Sequence, residues 1–508
     1  MGKQVTSNIS LNRVEGDLEI QVTLTDGVVT DARSSGTLFR GFERILVGRG
    51  AMDGLVITPR ICGICSITHL TAAAKALDQV TGVAPPANAV RLRNAALLAE
   101  TIQSDVRQSL LMYMVDLPHV SHARFPWHAL ATQRYLSLRG ERCVEAVRET
   151  RGLLEIIAIM GGQWPHTSFM VPGGVVYAPP KANLRMAIHL LDTFQRWYEA
   201  RVLGCSVERW LAIDSAAALQ TWLDEDRNHA DSDTGFLVTA SRDLGLDRLG
   251  VGHGRFLSFG SLEIPDGSSV RGSHGLAVAA GVAETGCVHP FDPTKVEEHT
   301  KCAWYADHPL GRHPFKGDTN PMPSGEEGEK YSWCKAPRYD GLPAETGPLA
   351  ERLVANDPLF RELVWSSGPN ALARQLARIT RPIHAFAPLR SWLEELVRHH
   401  GEPVYLPLPT IQDGEGVGLL QAARGALGHW VRVKEGRIAH YQIIAPTTWN
   451  GSPRDNQGVR GPWEEALIGV PVADAADPVL AGMVIRSFDP CLVCAIHVVG
   501  GRPMRLLA

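Results

Sequence analysis

The sequence predicts a mainly α (α+β) protein with long central helices, small peripheral β-sheets and a metal site where the two ends of the chain meet. Three observations carry that expectation. Apolar residues recur every three or four positions through several long runs, as amphipathic helices require. Shorter segments toward each end alternate apolar and polar residues around turn dipeptides. A Cys-x-x-Cys pair also lies near each terminus, Cys62-Gly63-Ile64-Cys65 and Cys491-Leu492-Val493-Cys494.

Taken in order, residues 18–24 alternate, turn at Asp26-Gly27 and resume at Val28, which predicts a hairpin. The hairpin sets Glu15 and Glu43 on or beside strands next to the first cysteine pair. Helical periodicity follows over residues 89–115, 143–160, 181–213, 347–364 and 370–398. Residues 307–347 are rich in Gly, Pro and charge and read as an ordered excursion or a surface loop. Alternation returns over 428–444, around a turn at Glu435-Gly436. No linker, repeat or low-complexity run interrupts the chain, so residues 1–508 read as one domain.

With 508 residues, 44% of them hydrophobic, the chain can bury a large core. A net charge of -4 with no basic face argues against a nucleic-acid partner. No apolar run reaches the length of a bilayer span, and no signal-peptide pattern opens the sequence. Of nine cysteines, Cys143, Cys205, Cys287, Cys302 and Cys334 are scattered, which suits reduced thiols better than a disulfide framework.

Each Cys-x-x-Cys turn points two thiolates at one metal, and His69 and His497 follow the two pairs. Thiolates suit zinc, nickel, copper(I) and Fe–S iron. Small zinc ribbons keep both pairs within a few tens of residues. Here nearly the whole chain intervenes, which points to a buried reactive centre more than to a local staple. A structural zinc site is the other reading of the four sulfurs alone.

The flanking residues narrow the choice. Arg60-Ile61-Cys62-Gly63-Ile64-Cys65 and Asp489-Pro490-Cys491-Leu492-Val493-Cys494 resemble the two signature motifs of the [NiFe]-hydrogenase large subunit. Arg13-Val14-Glu15-Gly16, Phe39-Arg40-Gly41-Phe42-Glu43 and Val171-Pro172-Gly173-Gly174 fit the same family. So do Lys335-Ala336-Pro337-Arg338-Tyr339, Arg424-Gly425-Ala426-Leu427-Gly428-His429 and Pro446-Thr447-Thr448-Trp449-Asn450. The resemblance thus covers essentially the full length.

It implies a Ni-Fe(CN)2(CO) centre, with Cys62 and Cys491 terminal on nickel and Cys65 and Cys494 bridging nickel to iron. Arg424 and Thr447 match the donors to the cyanides, and Leu427 and Ala445 the apolar surroundings of the carbon monoxide. Cys491 is then the first base and Glu15 the proton relay, with Asp489 beside the centre and paired to Arg424. Glu43, the Ile443 carbonyl and His497 match a structural Mg2+ site. His69 is expected to bond a thiolate, and His166 and His429 to serve in packing. Ala423 stands where the family usually has proline, and Gln421 where glutamate is common. Asp17 resembles a branch that contains uptake enzymes and H2-sensing proteins.

The implied reaction is the oxidation of H2 to two protons and two electrons. This chain has no further cysteine pattern for an Fe–S relay, so an Fe–S-containing small subunit is the expected partner. Maturation proteins are expected too, with a C-terminal endopeptidase acting on residues 498–508 as a further possibility. A higher oligomer of heterodimers, cytoplasmic or membrane-associated through partners, completes the expectation. The alternative is an H2-sensing regulatory hydrogenase with low turnover.

Overall fold

The alternation near the N-terminus builds a three-stranded antiparallel sheet from Gln4–Ser10, Leu18–Thr25 and Val28–Gly36. Its second hairpin turns on Asp26 and Gly27 at φ 51° and 79°, the left-handed pair that lets a two-residue loop follow the twist of its strands. The computed structural model describes residues 4–10, 13, 14, 16, 18–265, 275–323, 328–408, 410–474 and 477–495. Among these, five small antiparallel sheets accompany the helices.

The expected helical runs break where side-chain chemistry requires it. Ala87–Arg107 passes into a π-turn, Gln108–Tyr113, and a 3-10 turn, Met114–Asp116. The 143–160 run is two helices, Glu141–Glu149 and Arg151–Gly161, split at Thr150, whose hydroxyl donates to the Ala146 carbonyl (2.6 Å). The 181–213 run stops at Gly204 (φ 78°), where a Cβ would meet the Asn228 carbonyl at 2.4 Å. It restarts as Val207–Leu211 on a Ser206 cap. Pro358 opens Pro358–Ser367 behind an Asp357 cap, and Pro382 divides Ala371–Thr380 from Ile383–Arg398.

One sheet is not at the expected periphery. Of the sheet Gly414–Ala422, Gly425–Lys434 and Arg437–Ile444, the first two strands pack on the helix Ser66–Thr81, and the middle strand is buried along most of its length. The contact needs glycine: a Cβ on Gly416 or Gly418 would lie 2.0 or 1.8 Å from the carbonyls of Ala76 and Ala72. Backbone against backbone, the hairpin runs back along the helix. Its tip, Ala423-Arg424, thereby arrives beside the helix start, where the first cysteine pair sits.

Candidate metal centre

The two cysteine pairs come together. Cys62 Sγ lies 3.6 Å from Cys491 Sγ, Cys65 Sγ 3.2 Å from Cys494 Sγ, and Cys491 Sγ 3.1 Å from Cys494 Sγ. All four sulfurs are buried and lie within 4.8 Å of one another, a cage of the size one or two metal ions would fill. Hydrogen bonds from Cys491, Cys494 and Cys65 hold the Cys62 thiol well below its ordinary pKa. Burial pushes the Cys494 thiol well up. A cluster this tight sheds its remaining protons only against a cation.

The first turn is held by main-chain contacts. Glu100 reaches from the helix Ala87–Arg107 to the start of Ser66–Thr81, where it accepts from the Ile67 and Thr68 amides (both 2.9 Å) and the Thr68 hydroxyl (2.8 Å). These are amides that a helix start leaves unpaired, and Cys65 itself supplies no side-chain cap. Burial raises the Glu100 carboxyl to about 7. His166 Nδ1 donates to the Pro59 carbonyl (3.0 Å), and its ring packs over Gly63.

The second turn begins a four-residue helix, Leu492–Ala495. The Cys491 amide donates to Thr447 Oγ1 (3.0 Å). Gly16, at φ 88°, lies so close that a Cβ there would sit 3.1 Å from Leu492 Cβ and from the Val493 nitrogen. Arg40 ties both turns together, donating to the Val493 carbonyl (3.1 Å) and to the carbonyls of Ile61 and Arg60.

Arg424 is buried and faces the sulfurs. Burial alone would lower its pKa, but Asp489 and the sulfurs of Cys491, Cys65 and Cys62 hold it well above the ordinary value. Arg424 Nε lies 3.1 Å from Asp489 Oδ1, so the expected pairing is present. Even so, neither Nε nor Nη1 makes a well-directed hydrogen bond among the described residues. Buried guanidinium donors in want of acceptors mark a place for acceptor ligands. Arg424, Cys65, Cys494, Thr447, Leu427 and Pro446 line one small enclosed cavity, with Thr68 and His69 across it. Ala445, fully buried, lies just behind Pro446.

Glu43 occupies a second buried cluster. Its carboxylate accepts from the Ile443 amide (2.8 Å) and the Thr319 hydroxyl, and Lys335 Nζ stands 3.7 Å away. Lys335 also donates to Gln442 Oε1 (2.6 Å) and pairs with Glu298 at 3.4 Å. Burial raises the Glu298 carboxyl to about 7. Ile443, whose carbonyl the resemblance assigns to this site, meets Glu43 through its amide.

Glu15, Asp17 and His497 lie outside the described residues. Arg13, in the same motif as Glu15, pairs with Asp116, which also holds Arg486 (2.7 Å). His69 Nδ1 and His429 Nε2 are 3.1 Å apart, and His429 Nδ1 meets the Tyr441 hydroxyl at 2.9 Å. Sequence reasoning gave no role to Arg40, Glu100, Thr319, Lys335 or Gln442. Arg40 and Lys335 lay within quoted motifs, and that was the available signal. Glu100 had none.

Residues 40–114 and 141–497 match the family model described as nickel-dependent hydrogenase. The chain is 32% identical to the periplasmic [NiFeSe] hydrogenase large subunit of Desulfomicrobium baculatum, over 98% of this chain and 95% of that one. To the uptake hydrogenase large subunit of Rhodobacter capsulatus it is 28% identical, over 99% and 97%. Among solved structures, the Ni-Fe-Se hydrogenase from D. vulgaris Hildenborough in the as-isolated oxidized state superposes with a TM-score of 0.82 at 30% identity, covering 97% of this chain and all of that one.

Proposed function

The chain belongs to the nickel-dependent hydrogenase family as a large subunit that activates H2. From that premise we propose that it oxidises H2 to two protons and two electrons and hands the electrons to an Fe–S-containing small subunit. The observation that carries this reading is four buried thiols from opposite chain ends facing an arginine whose donors are unspent.

The donor set fits nickel, which soft thiolates hold well. Cys62, Cys65, Cys491 and Cys494 would together hold the nickel and the iron beside it. Cyanides on that iron would take the unspent donors of Arg424 and the Thr447 hydroxyl, while Leu427 and Ala445 would give the carbon monoxide an apolar wall. When bound, the group supplies a redox-active Lewis acid that accepts the electron pair of H2. The Cys491 thiolate would take the two protons in turn, and Glu15 would relay each outward. Arg424, kept charged and aimed by Asp489, would polarise H2 in the cavity it lines with Cys65 and Cys494. With Asp116 neutralising Arg13, the relay is the role we assign to Glu15.

Two carboxylates, Glu43 and Glu298, face one ammonium, Lys335. Glu43, with the Ile443 carbonyl and His497, would hold a hydrated magnesium ion there. The small subunit would dock around the first turn, where Val47, Met52 and Val56 are exposed. Nearby, an open cavity of about 910 Å3 brings Val176, Tyr177 and Met186 to the rim of His166. Maturation proteins would install the diatomic ligands, with an endopeptidase acting beyond His497. No described helix is long and apolar enough to cross a membrane.

The test is an infrared spectrum of the matured complex together with metal analysis. Two cyanide bands and one carbonyl band, with nickel and iron in equal amounts, support the reading. Zinc without such bands overturns it. Full bands with very slow H2-driven dye reduction would shift the conclusion to H2 sensing.

A further inference from the structure

We propose that Arg378 and Arg381 are positioning residues for Arg424. They clamp the carbonyls of the hairpin turn that presents it, and so fix from outside a turn that is not held by its own geometry.

Strands Gly414–Ala422 and Gly425–Lys434 are joined by Ala423 and Arg424 alone. A two-residue hairpin loop follows the twist of its strands when its first residue has positive φ. Neither Ala423 nor Arg424 does; the positive φ is deferred to Gly425 (130°), where a Cβ would meet Thr346 Oγ1 at 2.5 Å. The direction of Arg424 therefore depends on what holds carbonyls 422 and 423.

Arg381 donates to the Ala423 carbonyl (2.5 Å) and the Ala422 carbonyl (3.3 Å), and Arg378 donates to the Ala423 carbonyl (3.1 Å). Both guanidiniums are buried and themselves anchored. Arg381 makes two bonds to Asp105 (2.7 and 2.6 Å) and one to Glu351 (2.6 Å). Arg378 lies 3.3 Å from Asp105 and 3.1 Å from Asp489, and Asp489 returns to Arg424 Nε at 3.1 Å. Three cations and three anions thus close a circuit through which one set of charges fixes both the turn backbone and the side chain it carries. Only a planar fork can serve Asp105, Glu351 and two carbonyls at once, so lysine is not equivalent here.

Ala423 is also the position where the resemblance leads one to expect proline. Proline would lock φ from within; here two arginines reach in instead. The backbone is compatible with proline, because Ala422 is extended, as a residue before proline must be, and Ala423 is not among the positive-φ residues.

The experiment uses R381K, which keeps Asp105 and Glu351 compensated but loses the fork, and the double variant R381K/A423P. In the unloaded chain, hydrogen–deuterium exchange over residues 424–426 should rise about tenfold in R381K and fall back in the double variant. R378K, which spares Arg381, should give a smaller rise of the same kind, and decides the matter if R381K fails to fold. In the matured complex, the cyanide bands should shift or broaden in R381K at unchanged nickel and iron content, and return in the double variant. This arm rests on the hydrogenase reading of Arg424, whereas the exchange arm does not. A wild-type complex without diatomic bands defeats that reading and leaves the exchange result to judge the clamp. Unchanged exchange in both lysine variants, or a double variant as loose as R381K, overturns the proposal.

Discussion

The two cysteine turns deliver matching pairs of sulfurs but are held by opposite means. Cys62 and Cys65 open a long helix, Ser66–Thr81, whose first amides are capped by the buried Glu100 carboxyl. Cys491 and Cys494 ride on Leu492–Ala495, far too short to persist unaided. Charge holds that end: Asp489 stands between Arg424 and Arg378, and Arg486 rests on Asp116. A long helix can carry its own ligands, while a terminal segment must borrow rigidity from distant residues. Burying so many ions costs solvation that geometry only partly returns, so the array secures position more than stability.

The largest effect should come where the two turns are equivalent. Cys62→Ser and Cys491→Ser should each abolish nickel retention and H2 uptake, as read by metal analysis and dye reduction; retention in either would make one turn dispensable. Next is Arg40, which donates to both turns. Arg40→Ala should cost about 3 kcal/mol in denaturant unfolding and lower nickel content, whereas an effect on stability alone would mean the turns find each other without it.

Glu100→Gln addresses the first turn only. The folded carboxyl keeps its proton up to about pH 7, against 4.5 as the ordinary value. Its contribution is therefore full below pH 4.5 and is lost as pH rises through 7, in total about 3 kcal/mol. The variant's unfolding free energy in the unloaded chain should be flatter between pH 5 and 8, and parallel profiles would remove Glu100 from this role. The smallest change is Thr447→Val, which leaves the Cys491 amide without its acceptor. It should cost about 1 kcal/mol and loosen the second turn alone, measurable as exchange over residues 491–494.

Much of this was legible in the sequence. The cysteine pairs and the turns at Asp26-Gly27 and Glu435-Gly436 follow from local chemistry, and the structure places them as expected. The Asp489–Arg424 pair was also foreseen. Helix breaks were missed at Thr150 and Gly204, since apolar periodicity continues through residues whose hydroxyl or backbone ends a helix. The sheet at Gly414–Ile444 was expected at the periphery because alternation does not reveal that Gly416 and Gly418 admit a helix backbone. Glu100, Arg378 and Arg381 left no trace, because each acts on a main-chain group remote in sequence. Gln421, unexpected by resemblance, has a reason: it accepts from the Phe259 amide (3.3 Å) and donates to the Gly347 carbonyl (3.4 Å), which a carboxylate could not do.

Cys62 and Cys491 are separated by 429 positions, and so are Cys65 and Cys494, whereas Glu100 is 33 from Ile67. During synthesis at roughly 5–20 residues per second, the capped first turn can form within seconds of leaving the ribosome. The second turn follows only after about 20–90 s at that pace. For that interval a nascent chain carries Cys62 and Cys65 without the two sulfurs that complete their cage. The cage can close only once Cys491 and Cys494 have been made, so an oxidant or a wrong metal meets the first pair of thiols before the second exists.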